Sequence, residues 1–178
     1  MFSKRGIRQY YPRVLKSLLV FLLAGFLFSC SSPGEYKPAP GEIKINLFAD
    51  SDVNPNEQGE PAPLYVFIYN VKEPDVFNNA DFFEIINDNS KPLQAAASKI
   101  YEAILQPGEQ RSVLIRPDGE IGTLGFIGAY RNLNDSVWMM NWTFPKKKRA
   151  WWQRIFSNDA PELNAWFQKT AITIKKVD

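Results

Sequence analysis

The sequence predicts a mainly β domain, a two-sheet antiparallel β-sandwich with a small helical insertion, over residues 43–178. Ile43, Ile45 and Leu47 alternate with polar neighbours, which is typical of a half-buried strand. Residues 64–71 form a near-continuous run of β-branched and aromatic side chains, as in a strand buried on both faces. Four later runs are short, rich in strand-forming residues and bounded by turn residues: 110–117, 123–131, 136–144 and 170–177. Several short strands of this kind favour a sandwich.

The helical insertion is predicted at about residues 75–101. Within it, residues 82–86 contain two phenylalanines and two isoleucines, which form a broad apolar stripe, and Asn79 is a candidate N-cap for that helix. The run 92–101 contains three consecutive alanines, a composition that favours a second helix.

The first 29 residues resemble an export signal peptide. Five basic residues and no acidic residue precede Cys30, and the uncharged run 17–28 ends just before it. A membrane-spanning helix needs roughly 20 apolar residues, so this run is too short to span and fits the apolar region of a signal peptide. Residues 31–42 are rich in Pro, Gly and Ser with almost nothing apolar, which indicates a flexible tether.

Residues 27–30, "LFSC", resemble the lipobox at which bacterial lipoproteins are lipidated on cysteine and cleaved before it. Cys30 is the only cysteine, so an intramolecular disulfide is excluded and lipidation would account for a lone thiol in an exported chain. The bacterial modification carries three acyl chains, which hold a protein on a membrane permanently. Ser31 differs from the aspartate of the inner-membrane retention signal, so the resemblance implies the outer membrane.

The mature chain is mildly acidic. The whole sequence has 21 Lys and Arg against 19 Asp and Glu, and removing residues 1–29 removes five basic residues and no acidic one, which leaves 16 against 19, or −3. Nucleic acid is therefore not an expected partner.

Catalytic and metal-binding patterns are missing from the sequence. There is no histidine, the commonest general base and metal ligand. Asp81 and Glu84 are spaced like a helical acid–base pair, but solvent-facing side chains are the more ordinary interpretation. An EF-hand loop starting at Asp50 would need Gly sixth and Glu twelfth, where Pro55 and Pro61 stand. We predict no enzyme, cofactor, metal site or small-molecule substrate.

Two further patterns have ordinary interpretations. Gly122, Gly125 and Gly128 are three residues apart in a predicted strand, unlike a dinucleotide fingerprint, and are expected to permit close packing. A basic run precedes Trp151 and Trp152, and it is either a solvated hairpin tip or a contact with an anionic membrane or a partner. Its residues are Lys146, Lys147, Lys148 and Arg149.

Three segments, in order, resemble the TssJ lipoprotein family of the bacterial type VI secretion system. Residues 53–85 are similar to the family's N-P-x-x-x-G-x-P-x-P loop, the strand ending in "IY" and the "ADFF" helix. Residues 104–113 are similar to its L-x-P-G-E turn, and residues 124–133 to its L-G-x-x-A-x-[FY]-R-x-L strand.

The resemblance implies a transthyretin-like two-sheet β-sandwich on the periplasmic face of the outer membrane. It implies a structural docking role, with binding to the periplasmic C-terminal region of TssM and, through TssM, an indirect link to TssL. The family contacts its partner with the loop between the first two strands. Here that implies the following residues: Asp52, Val53, Asn54, Pro55, Asn56, Glu57, Gln58, Gly59 and Pro61.

Two alternatives from other functional classes remain open. One is a calcium module or metal-dependent enzyme that would use Asp50, Asp52 and Asn54. A periplasmic β-sandwich lipoprotein that binds a small ligand or carbohydrate would use tryptophans around a groove, and it predicts that they are exposed. The candidates are Trp138, Trp142, Trp151 and Trp152.

Replacing Cys30 with serine tests the lipidation assignment. Thioether formation needs the sulfur, so we expect the Cys30→Ser chain to stay uncleaved or to leave the outer-membrane fraction. Membrane fractionation with metabolic palmitate labelling measures both effects, and a variant that is labelled and fractionates like the wild type contradicts the assignment.

Overall fold

A computed structural model describes residues 42–88, 90–116, 122–144 and 161–177. In these residues the chain forms eight strands and three helices. In chain order they are β1 (Ile43–Ala49), β2 (Leu64–Val71), α1 (Pro74–Asn79), α2 (Phe82–Asn87), α3 (Lys91–Ala96), β3 (Ala97–Leu105), β4 (Gln110–Ile115), β5 (Thr123–Gly128), β6 (Met139–Thr143), β7 (Glu162–Phe167) and β8 (Ile172–Lys176).

The strands form two four-stranded sheets, which confirms the predicted β-sandwich. The first sheet has the order β4-β1-β7-β8 and the second the order β3-β2-β5-β6. Neighbouring strands are antiparallel except β1 and β7, which are parallel and pair from Lys44 with Glu162 to Ala49 with Phe167. The sequence predicted only antiparallel pairs. The parallel pair was missed because no local pattern indicates that β1 pairs with a strand more than 100 residues later in the chain.

The burial patterns of β1 and β2 match their sequence patterns. In β1 the alternate residues Ile43, Ile45, Leu47 and Ala49 are buried in the core between the sheets. In β2 every residue except the second, Tyr65, is buried, because one face lies in that core and the helices cover the other. An alternating pattern therefore marks the sheet without a helical layer, and a continuous apolar run marks the covered one.

The helices pack on the outer face of the second sheet through a second apolar cluster that contains Phe67, Phe77 of α1 and Ile85 of α2. A Cβ atom at Gly125 would lie 2.6 Å from the Phe77 ring, so only glycine allows α1 to approach β5 this closely. At Gly128 the Tyr130 ring would be 2.8 Å away, whereas nothing lies within 4 Å of a Cβ at Gly122. Close packing therefore accounts for two of the three glycines.

The helical insertion ends at Ala96, so the predicted end at residue 101 is wrong. β3 pairs with β2 from Val71 with Ala97 to Leu64 with Leu105. This pairing satisfies the edge of β2 and buries the two end residues of β3, Ala97 and Leu105. Long-range pairing thus outweighs the helix propensity of the alanines.

The N-cap prediction was also wrong, because Asp81 and not Asn79 caps the second helix. The Asp81 carboxylate accepts a hydrogen bond from Glu84 N at 2.9 Å, and Glu84 accepts one from Asp81 N at 3.2 Å. This reciprocal pair is a capping box, so the spacing that resembled an acid–base pair has a structural explanation.

The strand directions define two ends of the sandwich. We call the end where β1 begins at Ile43 the proximal end and the end where it finishes at Ala49 the distal end. The pairings place four connections at the distal end, namely 50–63, 106–109, 129–138 and 168–171. A strand rises about 3.3 Å per residue, so a strand of seven residues separates the ends by about 23 Å.

Truncation of Phe126 tests the core. Phe126 is fully buried, so we expect Phe126→Ala to lower the free energy of unfolding by about 3–5 kcal/mol. Phe83 is 65% exposed and serves as the matched control, for which a loss of about 1 kcal/mol or less is expected. Urea unfolding followed by circular dichroism gives both values, and equal losses would contradict this burial assignment.

Candidate docking surface at the distal end

The tip of the β1–β2 connection, residues 56–60, is a turn closed by its own hydrogen bonds. The Asn56 side-chain Oδ1 accepts from the backbone N–H groups of Gln58 at 3.0 Å and Glu60 at 2.9 Å. Gly59 N donates to Asn56 O at 2.9 Å, and Gly59 has a φ of 81°, which glycine adopts without strain. The tip therefore holds its shape while its exposed side chains face solvent.

Asn54 joins the base of this connection to two others. Its backbone N–H donates to Lys169 O at 3.0 Å, and its Nδ2 donates to Pro63 O at 2.8 Å. Its Oδ1 accepts from Arg131 N at 2.8 Å. Asn54 is 3% exposed and has a φ of 50°, a left-handed conformation that asparagine tolerates better than most residues. The side chain of Asn54 thus joins its own connection to the second, and its backbone N–H joins it to the third.

Val53 is fully buried in the core between the sheets, so its side chain is not placed for the predicted partner contact. Its backbone is also bound, since Val53 N donates to Asp50 O at 3.1 Å and Ala62 N donates to Val53 O at 3.2 Å. Asn54 is buried too, but it lines the cleft described next, and its side chain is bound to Pro63 O and Arg131 N.

The other predicted residues do reach the surface. Asp52, Glu57, Gln58, Gly59 and Pro61 are exposed, and Pro55 and Asn56 are half-buried. Pro55, Asn56, Glu57 and Gln58 line a cleft of about 590 Å³. Its lining comes from three connections: Asn54, Pro55, Asn56, Glu57 and Gln58 from the first, Tyr130, Arg131 and Asn132 from the second, and Lys169 and Thr170 from the third.

Tyr130 fixes the second connection to the third. Its hydroxyl donates to Ala171 O at 2.8 Å and to Gln168 O at 3.1 Å. Burial, assisted by the negative charge of Asp50, raises the pKa of Tyr130 above its usual value. The hydroxyl therefore remains a protonated donor at neutral pH, and the cleft floor stays uncharged at this point.

The β3–β4 turn supports the start of the β1–β2 connection. Gly108 has a φ of 76°, and its N–H donates to Asp50 O at 3.2 Å. The Glu109 carboxylate accepts from Gln106 N at 2.8 Å and from the Arg111 guanidinium, and these bonds hold the pKa of Glu109 below its usual value. This turn is the "LQPGE" segment seen in the sequence.

Several predicted features fall outside the described residues or away from the cleft. Cys30, the basic run 146–149, Trp151 and Trp152 lie outside the described residues. Trp138 and Trp142 are half-buried and pack against the core, which disfavours a ligand groove built on them. In the described part of the chain no three His, Cys, Asp or Glu residues are grouped to hold a metal, and no helix is long and apolar enough to span a membrane.

A family comparison decides what the chain is related to. The sequence profile of type VI secretion lipoproteins, which is named for VasD, EvfM and TssJ, matches residues 41–174. The chain belongs to the type VI secretion lipoprotein family. Comparison with curated protein sequences gives no match.

Solved structures of type VI proteins share this fold. The crystal structure of the lipoprotein TssJ1 from Pseudomonas aeruginosa matches with a TM-score of 0.66 and 26% identity, over 79% of this chain and 98% of TssJ1. Lip from Serratia marcescens, a membrane-bound component of the secretion system, matches at 0.65 and 22% identity, over 78% and 98%. A chain in the structure of the TssM C-terminal domain from EAEC matches at 0.56 and 16% identity, over 75% and 99%.

The three segments that resembled the TssJ family converge in this family member at the distal end. Asn54 of the first segment binds Arg131 of the third, and Gly108 of the second binds Asp50. The "AYR" of the third segment was a usable signal for Tyr130 and Arg131, although the predicted site omitted them. No comparable sequence pattern marks Lys169 and Thr170. They follow β7, and the parallel pairing of β7 with β1 brings their turn beside the β1–β2 connection.

Replacing Asn54 tests its role as the link between the connections. We expect Asn54→Ala to cost about 2–4 kcal/mol, because Arg131 N loses a buried acceptor and alanine is strained at a positive φ. Asn56→Ala is the matched control, because it removes hydrogen bonds of an exposed turn and should cost about 1 kcal/mol or less. Urea unfolding measures both, and a cost for Asn54→Ala no greater than the control would refute the role.

Proposed function

We propose that the chain is the docking lipoprotein of a type VI secretion membrane complex. In this proposal Cys30 anchors it in the outer membrane, and the distal end binds the periplasmic C-terminal region of TssM. The observation that carries the proposal is the β1–β2 connection, whose hydrogen-bonded tip presents Glu57 and Gln58 to solvent from a base held by Asn54. Family membership and the recurrence of the fold in a structure of the TssM C-terminal domain support this partner.

The physical advantage of this loop is pre-organisation. A connection of this length with no strand or helix is uncommon unless it is functional. Three prolines, Pro55, Pro61 and Pro63, restrict its backbone, and the Asn54 and Asn56 hydrogen bonds restrict it further. Binding then orders few additional degrees of freedom, so more of the contact energy appears as affinity.

The direction of the chain favours an arrangement in which the proximal end lies nearer the membrane than the distal end. β1 begins at the proximal end, and the chain that precedes it leads back through the tether to Cys30. Membrane and partner would therefore meet opposite ends of the sandwich. The run 146–149 belongs to the β6–β7 connection, and its flanking strands pair so that β6 ends and β7 begins at the proximal end. In this proposal the run contacts an anionic membrane surface and not TssM.

Ligand capture by tryptophans is less well supported. Trp138 packs edge-on against Phe82 with ring centroids 5.5 Å apart, and Trp142 packs against the core between the sheets. Both rings are half-buried, whereas ligand capture predicts exposed tryptophans.

Truncating the loop tip tests the proposed TssM contact. We expect Glu57→Ala with Gln58→Ala to weaken binding of the TssM periplasmic domain about tenfold or more, because both side chains are exposed at the tip. The fold should survive, since the Asn56 bonds go to backbone groups of this turn. Affinity is measured by calorimetry on the full lipidated chain in phosphatidylcholine nanodiscs.

The matched control is Lys72→Ala with Glu73→Ala, two exposed charged residues that follow β2 at the proximal end. This variant should bind TssM like the wild type. Unchanged affinity in the tip variant, with its circular dichroism intact, would remove the docking role of the loop.

A further inference from the structure

Two exposed cations, Arg131 and Lys169, line the same cleft at the distal end. Neither takes part in the ion pairs of the described residues, which join Lys44 with Glu162, Lys99 with Glu102, Arg111 with Glu109 and Arg116 with Glu42. Where those four cations each neutralise an acid of the same chain, Arg131 and Lys169 keep their charge available to another molecule.

Hydrogen bonds to Asn54 hold the backbones of Arg131 and Lys169 in place relative to each other. The backbone N–H of Arg131 donates to Asn54 Oδ1, and the backbone carbonyl of Lys169 accepts from Asn54 N. Tyr130 adds a second link, because it precedes Arg131 and its hydroxyl bonds to Gln168, which precedes Lys169. Their backbone positions are therefore fixed relative to each other, and only the side chains have to adjust to a ligand.

We propose that Arg131 and Lys169 form a two-cation site for an acidic protein segment, one that brings at least two Asp or Glu carboxylates into the cleft. The inference rests on the proposed docking function and names the chemistry of the partner. A guanidinium binds a carboxylate through two parallel hydrogen bonds, and the neighbouring ammonium accepts a second carboxylate without a strict geometry.

One acidic residue lines the same cleft. Glu57 belongs to the first connection, whereas Arg131 and Lys169 belong to the second and third. An acidic segment is attracted by Arg131 and Lys169 and repelled by Glu57, so placements close to the two cations are favoured. Charge complementarity of this kind determines the register and the association rate more than it determines the total affinity.

A protein segment fits the site better than an anionic lipid does. The cleft is at the distal end, about 23 Å from the end where the chain enters the sandwich, by the rise of β1. The Debye length at physiological salt is about 8 Å, so the charge of a membrane at the proximal end is screened before it reaches the cleft.

Charge reversal tests the site. Full lipidated chain in phosphatidylcholine nanodiscs is titrated with the TssM periplasmic domain at low and at physiological salt. We expect Arg131→Glu with Lys169→Glu to weaken binding about tenfold or more at low salt and to flatten its salt dependence. The swap Arg131→Lys with Lys169→Arg retains both charges and should stay within a few-fold of the wild type.

The control for net charge is Lys72→Glu with Lys91→Glu, two exposed lysines away from the cleft. It changes the total charge by the same amount, so an equal loss in this variant would overturn the proposal. Circular dichroism and the melting temperature of each variant separate a lost contact from a lost fold.

Three further outcomes distinguish this inference from the docking function. If the tip variant at Glu57 and Gln58 weakens binding and the charge reversal does not, the two-cation site is wrong and docking stands. If the wild type does not bind the TssM domain, the docking function and the two-cation site are both wrong. If soluble dihexanoyl phosphatidylglycerol binds the wild type but not the charge-reversed variant, while that variant keeps its affinity for the TssM domain, the occupant is lipid and the proposal is overturned.

Discussion

The distal end of the sandwich depends on the hydrogen bonds of one buried asparagine. Asn54 donates to Lys169 O and Pro63 O and accepts from Arg131 N, so three connections that are far apart in sequence share one anchor. Asparagine suits this position because its short side chain has both a donor and an acceptor and its backbone tolerates a positive φ. In a site excluded from water each of these bonds is costly to break, since the freed group cannot bond to solvent.

Both sheets help to position the connections at the distal end. Helices cover the outer face of the second sheet, where Gly125 lets Phe77 approach, and the same sheet carries the strands that lead into the loops at Leu64 and Gly128. The first sheet brings Ala49 and Phe167 to the same end through its parallel pair. A packed interior deforms little, so the strand ends from which the distal connections begin are held in fixed positions.

Sequence patterns predicted the strands whose burial shows in their own residues, but they missed the pairings between distant parts of the chain. The alternation of β1 and the continuous run of β2 were readable because burial on one or two faces leaves a direct mark on the sequence. β3 was partly mistaken for a helix because alanine propensity is local, whereas its pairing with β2 is not. The family motif predicted that the β1–β2 connection contacts a partner but not which of its residues face inward, so Val53 and Asn54 were assigned to contact although they are buried. Lys169 joins the cleft only through the β1–β7 pairing.

In the cleft, buried residues determine the backbone geometry and exposed residues carry the charges. We call the buried pair Asn54 and Tyr130 the frame. Asn54 and Tyr130 set where the backbone of the cleft lies, and neither side chain has a charge at neutral pH. Glu57, Arg131 and Lys169 supply the charges, and their side chains are exposed, so changing them removes little from the core. Substitutions in the frame are therefore expected to act through stability and in all contexts, whereas substitutions among the exposed charges act on the choice of partner and in a salt-dependent way. A docking surface built like this can be adapted to a different partner sequence without rebuilding the sandwich that presents it.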